Sequence, residues 1–427
     1  MAYEGDIMKI SIDPVISSRI KAAWNKLTSD QRGQLAPQLL NANQQAVNVT
    51  QTGKAPTAPA APHHLVLAHS ALSGDSDGVV ASLEAGVVID VGPDGVMWGT
   101  GKYQQFDPGW TEALAVYLET LAFGGKHPFM ANPQVISIPD DVQIGLVGDW
   151  GTGDWRPAPN LAPSTDVGSH LAFLQPDLTI HLGDVYYAGT GDEEQHLLVN
   201  IWPKGPIGSL ALNSNHEMYS GAKPYFDAIT NPASPFAMQK GCSYFALENA
   251  NWVIVGLDTA YFAPESNLYI DGSLGPYLGT QVQFLQQQVA KNKKVIVLTH
   301  HNGLLQDGSS TTGLWGEVLT GFPAGTGPAY WYWGHMHAGV VYQPKPPKDG
   351  DAPSILCRCC GHGALPWGHA TELDNNPNVV WYEKRPAKDP DIPQRVLNGF
   401  AMLYLEGPNI REVFYDENGG GTWRSGA

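Results

Sequence analysis

Residues 142–150 read VQIGLVGDW and residues 178–185 read LTIHLGDV: a short apolar run that stops at Gly-Asp, twice. Apolar runs of this length, bounded by turn residues, are what a strand buried on both faces looks like. Between them SHLAFLQP (169–176) reads as a helix, and the alternation continues downstream. EEQHLLVNIW (193–202) is followed by the strand SLALNSN (209–215), and CSYFALENANWVIVGLD (242–258) by the long helix GTQVQFLQQQVAKNK (279–293). Then come KVIVLTHH (294–301), AYWYWGHMH (329–337) and SILCRCCGHG (354–363). NGFAMLYLEGPNIREVFYDENG (398–419) alternates and turns at EGPN, as a hairpin does. Short strands interleaved with helices point to an α/β sandwich with two stacked sheets.

Upstream the texture differs. PVISSRIKAAWNKL (14–27) carries apolar residues at helical spacing, and residues 13–47 read as two short helices, the second capped at Ser29 and Asp30. TGKAPTAPAAPHH (52–64) is a semi-rigid Pro/Ala linker. GWTEALAVYLETLAF (109–123) is a further helix. The expected organisation is therefore a helical segment over 1–51, a linker over 52–64, an accessory region over 65–135 and an α/β domain over 136–427.

Composition narrows the function. The chain has 427 residues, 43% of them hydrophobic and only 15% charged, with 48 Gly and 33 Pro, which describes a loop-rich globular protein. Its net charge is −17 with no basic block, which argues against an extended nucleic-acid surface. An acidic chain still takes an anionic substrate where metal ions reverse the local field. There is no apolar run long enough to span a membrane and no secretory leader pattern, so a cytoplasmic location is the default expectation. Cys357, Cys359 and Cys360 crowd together while Cys242 stands apart, which is not a disulfide framework.

Polar residues of ligand type fall at the carboxyl ends of the strands. Asp149 ends the first and Asp184 the second, with Tyr187 three residues on. Asn215, His216 and Glu217 follow the third; His300 and His301 follow KVIVLT; His335 and His337 follow YWYW. Alternate strand residues share a face, so His335 and His337 converge whereas His300 and His301 diverge. Each residue alone has a bland reading, as a turn former, a helix cap or a core histidine. Five strand ends bearing carboxylate, phenol, amide and imidazole match the crevice where α/β sheets bind ligands.

In this pattern the chain resembles the metallophosphoesterase superfamily, and more narrowly the purple acid phosphatases, over roughly residues 140–420. The ordered motifs are GDWG (148–151), GDVYY (183–187), SNHE (214–217), VLTH (297–300) and GHMH (334–337). The resemblance implies a four-layer αββα sandwich and two metal ions about 3.5–4 Å apart. It implies that Asp184 bridges them, that Asp149, Tyr187 and His337 complete one ion, and that Asn215, His300 and His335 complete the other. A phenolate from Tyr187 suits Fe(III); the second ion is then Fe(II), Zn or Mn. A small phosphate monoester would be attacked by metal-bound hydroxide, with His216 protonating the leaving group and Glu217 orienting His216.

Three departures from the family pattern stand out. Gly151 occupies the place where most of the superfamily has a histidine ligand, and Ser214 stands where glycine is usual. The second substrate-contacting histidine, about ten residues after VLTH, is missing, and His301 or His362 is offered in its place. A phosphodiesterase on the same site, and a non-catalytic binding protein built on the fold, remain alternatives. Oligomeric state is not encoded in any of these motifs.

Overall fold

The computed structural model describes residues 10–57, 59–73, 83–156, 160–348 and 353–426. The first nine residues of the expected N-terminal helical segment, and Ala58 of the linker, lie outside them. The chain divides into two compact units: residues 1–125 with 366–372 and 386–396, and residues 126–365 with 373–385 and 397–427.

In the first unit the helix Pro14–Lys26 starts where the Asp13 carboxylate accepts the Val15 N–H at 2.7 Å. The next helix, Ser29–Thr52, is longer than the sequence suggests and runs through Pro37 to a left-handed Gly53. Its cap is Thr28, one residue before the expected Ser29, because Thr28 and Gln31 form a reciprocal capping box. The helix Trp110–Glu119 is tied to the first by Arg19, which meets Glu112 at 2.9 Å and Glu119 at 2.8 Å. The strands β1 (Val88–Val91) and β2 (Met97–Gly99) pair antiparallel.

The second unit is the α/β sandwich. Its strands in chain order are β3 (Gln134–Ser137), β4 (Asp141–Val147), β5 (Leu178–His181), β6 (Gly208–Ala211), β7 (Phe245–Glu248), β8 (Trp252–Gly256) and β9 (Lys294–Thr299). They continue as β10 (Tyr330–Trp333), β11 (Gly339–Tyr342), β12 (Leu356–Cys360), β13 (Val379–Tyr382), β14 (Gly399–Glu406), β15 (Asn409–Asp416) and β16 (Gly421–Arg424). Six of them form a sheet in the order β16-β15-β14-β4-β5-β6, and eight form another in the order β13-β11-β12-β10-β9-β8-β7-β3. Strands β4, β5 and β6 run parallel in one sheet, and β8, β9, β10 and β12 in the other. The core lies between the sheets: Ile144, Leu146 and Ile180 on one side, Ile254, Ile296 and Leu298 on the other. Helices Pro163–Phe173 and Thr280–Val289 flank the sheets, as the αββα layering requires.

One polar link crosses that core. Arg358 of β12 grips Glu412 of β15 through two bonds, at 2.7 and 3.0 Å, and the Tyr332 hydroxyl donates to the same carboxylate at 2.6 Å. All three groups are buried. Removing one partner strands a buried charge, so Arg358→Met is expected to lower unfolding free energy by about 3–5 kcal/mol. Denaturant titration checks this; the double variant with Glu412→Leu should recover most of the loss, and equal losses would dismiss the ion pair as the cause.

The three clustered cysteines belong to β12 and are buried. Cys360 joins the inter-sheet core, all four cysteines are unbridged, and burial pushes the Cys357 and Cys359 thiols up to about 12. Among the described residues no helix is long and apolar enough to cross a membrane.

Candidate metal centre

The parallel strands of both sheets deliver their carboxyl ends to one place. Four residues beyond these ends sit in the left-handed region: Asp149 (φ 58°), Asp184 (φ 79°), His335 (φ 67°) and His337 (φ 44°). Such conformations cost on the order of 1 kcal/mol or more each and gather at functional sites. Main-chain bonds hold them there: Asp149 N–H to Gly183 at 2.9 Å, Gly148 N–H to Cys360 at 3.0 Å, Gly334 N–H to His300 at 3.0 Å. The packing demands glycine: a Cβ on Gly334 would lie 2.6 Å from the Asp149 carboxylate, and one on Gly183 2.7 Å from the His300 ring. Strand β10 ends at Trp333, so His335 and His337 converge from a turn and not by strand alternation.

Asp149, Asp184 and His337 form the first donor group, with one ligand atom from each within 4.8 Å of the others. His337 Nε2 lies 3.2 Å from Asp149 Oδ1 and 3.9 Å from Asp184 Oδ2. Burial, and then the charge of Asp184, push the Asp149 carboxyl up to about 8. Burial also opposes charge on Asp184, but the imidazoles of His300 and His216 and hydrogen bonding with His337 outweigh it and hold this carboxyl well below its ordinary range.

The Tyr186 phenol lies against this group. Its hydroxyl lies 2.9 Å from Asp184 Oδ2, 3.3 Å from Asp149 Oδ1 and 3.0 Å from His337 Nε2. Counting three residues from Asp184 selects Tyr187 and leaves Tyr186 to the core; the structure brings Tyr186 to the carboxylates instead. Tyr187 meets the site through its main chain. Its N–H donates to Glu193, and its carbonyl accepts from His216 Nδ1 at 2.7 Å.

The second donor group faces the other oxygen of Asp184. His300 Nε2 lies 3.2 Å from Asp184 Oδ1, 2.9 Å from Asn215 Oδ1 and 3.2 Å from His335 Nδ1. His300 gives its Nδ1 proton to the Leu182 carbonyl at 2.9 Å, and burial lowers its pKa. The Asn215 amide donates to Tyr219 at 3.1 Å, which turns Oδ1 toward His300. His300 Nε2 thus lies among the Asn215 amide oxygen, the Asp184 carboxylate and the His335 imidazole. A cation is the group that such a set fits, and the carbonyl behind His300 is the usual means of fixing a ligand tautomer. The residues fit two ions.

His216 stands beside the pair, its Nε2 4.0 Å from Asp184 Oδ2 and its ring 4.6 Å from that of Tyr186. Glu217 does not orient it, contrary to the sequence expectation. The Tyr187 carbonyl does, while the Glu217 carboxyl turns to Ser214. Ser214 is extended (φ −135°), so no glycine is needed; its hydroxyl accepts the His216 N–H at 3.0 Å and also contacts Asp184. Burial and the charges of Glu194 and Asp184 push the Glu217 carboxyl well above its ordinary range.

Neither histidine offered for substrate is placed to bind one. His301 lies against His335, ring centroids 4.8 Å apart, and shares a cluster with His300 and His335. Both its nitrogens are taken, Nδ1 by the Thr259 hydroxyl and Nε2 by the Tyr269 carbonyl, each at 2.8 Å, so it braces His335. His362 is buried against Phe414 and Gly339, where β11 and β15 pass, and burial pushes it down to about 3.

Residues 142–339 match the family of calcineurin-like phosphoesterases. No curated protein sequence matches the chain. Among solved structures it is similar to GAP50, described as the anchor in the inner membrane complex of Plasmodium, at 11% identity and a TM-score of 0.45, over 66% of this chain and 87% of that one. It is also similar to a protein described as a 5'-nucleotidase from Staphylococcus aureus, at 12% identity and a TM-score of 0.31, over 63% of this chain and 54% of that one.

Proposed function

We propose that the chain hydrolyses small phosphate monoesters at a centre of two metal ions. Ferric iron would take the Asp149–Asp184–His337 group, and Fe(II), Zn or Mn the Asn215–His300–His335 group. The observation that carries this reading is Asp184, whose two carboxylate oxygens face two separate sets of donors. Two ions held there would supply an activated water and neutralise charge on the phosphoryl oxygens. The protein's own part is to orient and to protonate. Asn215 and His300 are locked by Tyr219 and by the Leu182 carbonyl, and His216 is held by the Tyr187 carbonyl with Nε2 toward the centre. A net charge of −17 favours a small substrate over nucleic acid, and four unbridged cysteines favour a reducing compartment.

Metal analysis of the purified chain, with turnover of an aryl phosphate and of its bis-aryl diester, tests the proposal. Two ions per chain and faster monoester hydrolysis are expected. A preference for the diester would transfer the reading to a phosphodiesterase. Absence of bound metal and of both activities would overturn it in favour of a binding protein.

A further inference from the structure

A single loop, running from Thr259 beyond β8 to Gly272, grips the buried His301. It turns through the left-handed region at Leu268 (φ 61°) and Tyr269 (φ 58°), and the Tyr269 carbonyl meets His301 Nε2 at 2.8 Å. A carbonyl only accepts, so the ring carries its proton on Nε2, and Nδ1 accepts from the Thr259 hydroxyl at 2.8 Å. The same hydroxyl oxygen accepts the His301 main-chain N–H at 3.2 Å. A Cβ on Gly272 would lie 2.5 Å from His301 Cβ, so the loop backbone is packed on the side chain. Lys126 ties the loop from its other side: Nζ meets Glu265 at 3.0 Å and the Tyr261 carbonyl at 3.1 Å, and lies 5.1 Å from the centre of the Tyr269 ring. His301 therefore has a fixed ring and no lone pair to give an ion. Its ring centroid lies 4.8 Å from that of His335 and 4.9 Å from that of His300. His335 is partly exposed and stands on a left-handed turn, so its ring takes its orientation from such neighbours.

We propose that His301 is a positioning residue for the second ion: held by Thr259 and the Tyr269 carbonyl, it fixes the His335 ring within the Asn215–His300–His335 set. The proposal rests on the two-ion reading above and deepens it, by naming the loop that governs how tightly the second ion is held. Groups standing behind metal ligands typically contribute 10–100-fold in affinity. Thr259→Val keeps the shape of the side chain but removes the hydroxyl, which releases Nδ1 and lets the ring turn. It should weaken the second ion by about 10–100-fold and leave the first unchanged.

Calorimetric titration of the metal-free full chain with Zn(II) provides the test, with circular dichroism to confirm that each variant is folded. The wild type should show two binding steps. Thr259→Val should weaken one of them, and Thr259→Ser, which keeps the hydroxyl, should bind as the wild type does. In an Asn215→Ala background, where the second set is already disabled, adding Thr259→Val should change nothing further. If Thr259→Val does not fold, His301→Gln carries the same expectation, because its amide reaches the Tyr269 carbonyl but offers no rigid ring to His335. Both steps weakened alike, or a further loss in the Asn215→Ala background, would mean a general structural role and overturn the proposal. Two unchanged steps in Thr259→Val would overturn it while leaving the two-ion reading intact. A wild type that takes up fewer than two ions would remove that reading, and the proposal with it.

Discussion

Asp184→Asn is expected to reduce phosphoester turnover by about 10³-fold or more. The centre's charge stabilisation amounts to several kcal/mol, and each 1.36 kcal/mol is a factor of ten. Asparagine keeps the shape but is neutral, so both sets, His300 and His337, lose their shared anion and one of them faces an N–H in place of an oxygen. Turnover measured with metals counted per chain checks this, and the count should fall below two. A variant that retains both ions and a tenth of the activity would mean that Asp184 is not the bridge.

His216→Ala should cost about 10²–10⁴ in kcat, the usual range for a positioned proton donor. The imidazole is oriented from behind by the Tyr187 carbonyl, and its Nε2 faces the centre 4.0 Å from Asp184. A role in leaving-group protonation makes the loss depend on the substrate. It should be large for an alkyl phosphate and small for an aryl phosphate whose leaving group departs as a stable anion. A uniform loss across leaving groups would assign His216 to phosphate binding.

Much of this was legible in the chain because chemistry and topology coincide. Each of GDWG, GDVYY, SNHE, VLTH and GHMH follows a short apolar run, and buried parallel strands put all such ends on one rim. Asp149, Asp184, Asn215, His300, His335 and His337 meet there as expected. What failed depended on local conformation. Choosing between Tyr186 and Tyr187 needs the path of the loop after Asp184, and spacing carries no record of how it folds onto Gly151. The pairing of His335 with His337 was expected from strand alternation, yet it arises from left-handed turns. Glu217 follows His216 in sequence, but the short helix Asn215–Met218 turns its carboxyl to Ser214. His362 lies near the cysteine cluster in sequence and enters the core between strands.

The main chain of residues 184–186 is seated on Gly151, whose N–H donates to the Asp184 carbonyl at 3.1 Å and whose carbonyl accepts from the Tyr186 N–H at 2.9 Å. Any side chain at 151 collides with main-chain atoms and not with a movable neighbour. An imidazole could not be introduced at 151 by substitution alone; the segment after Asp184 would have to be rebuilt at the same time.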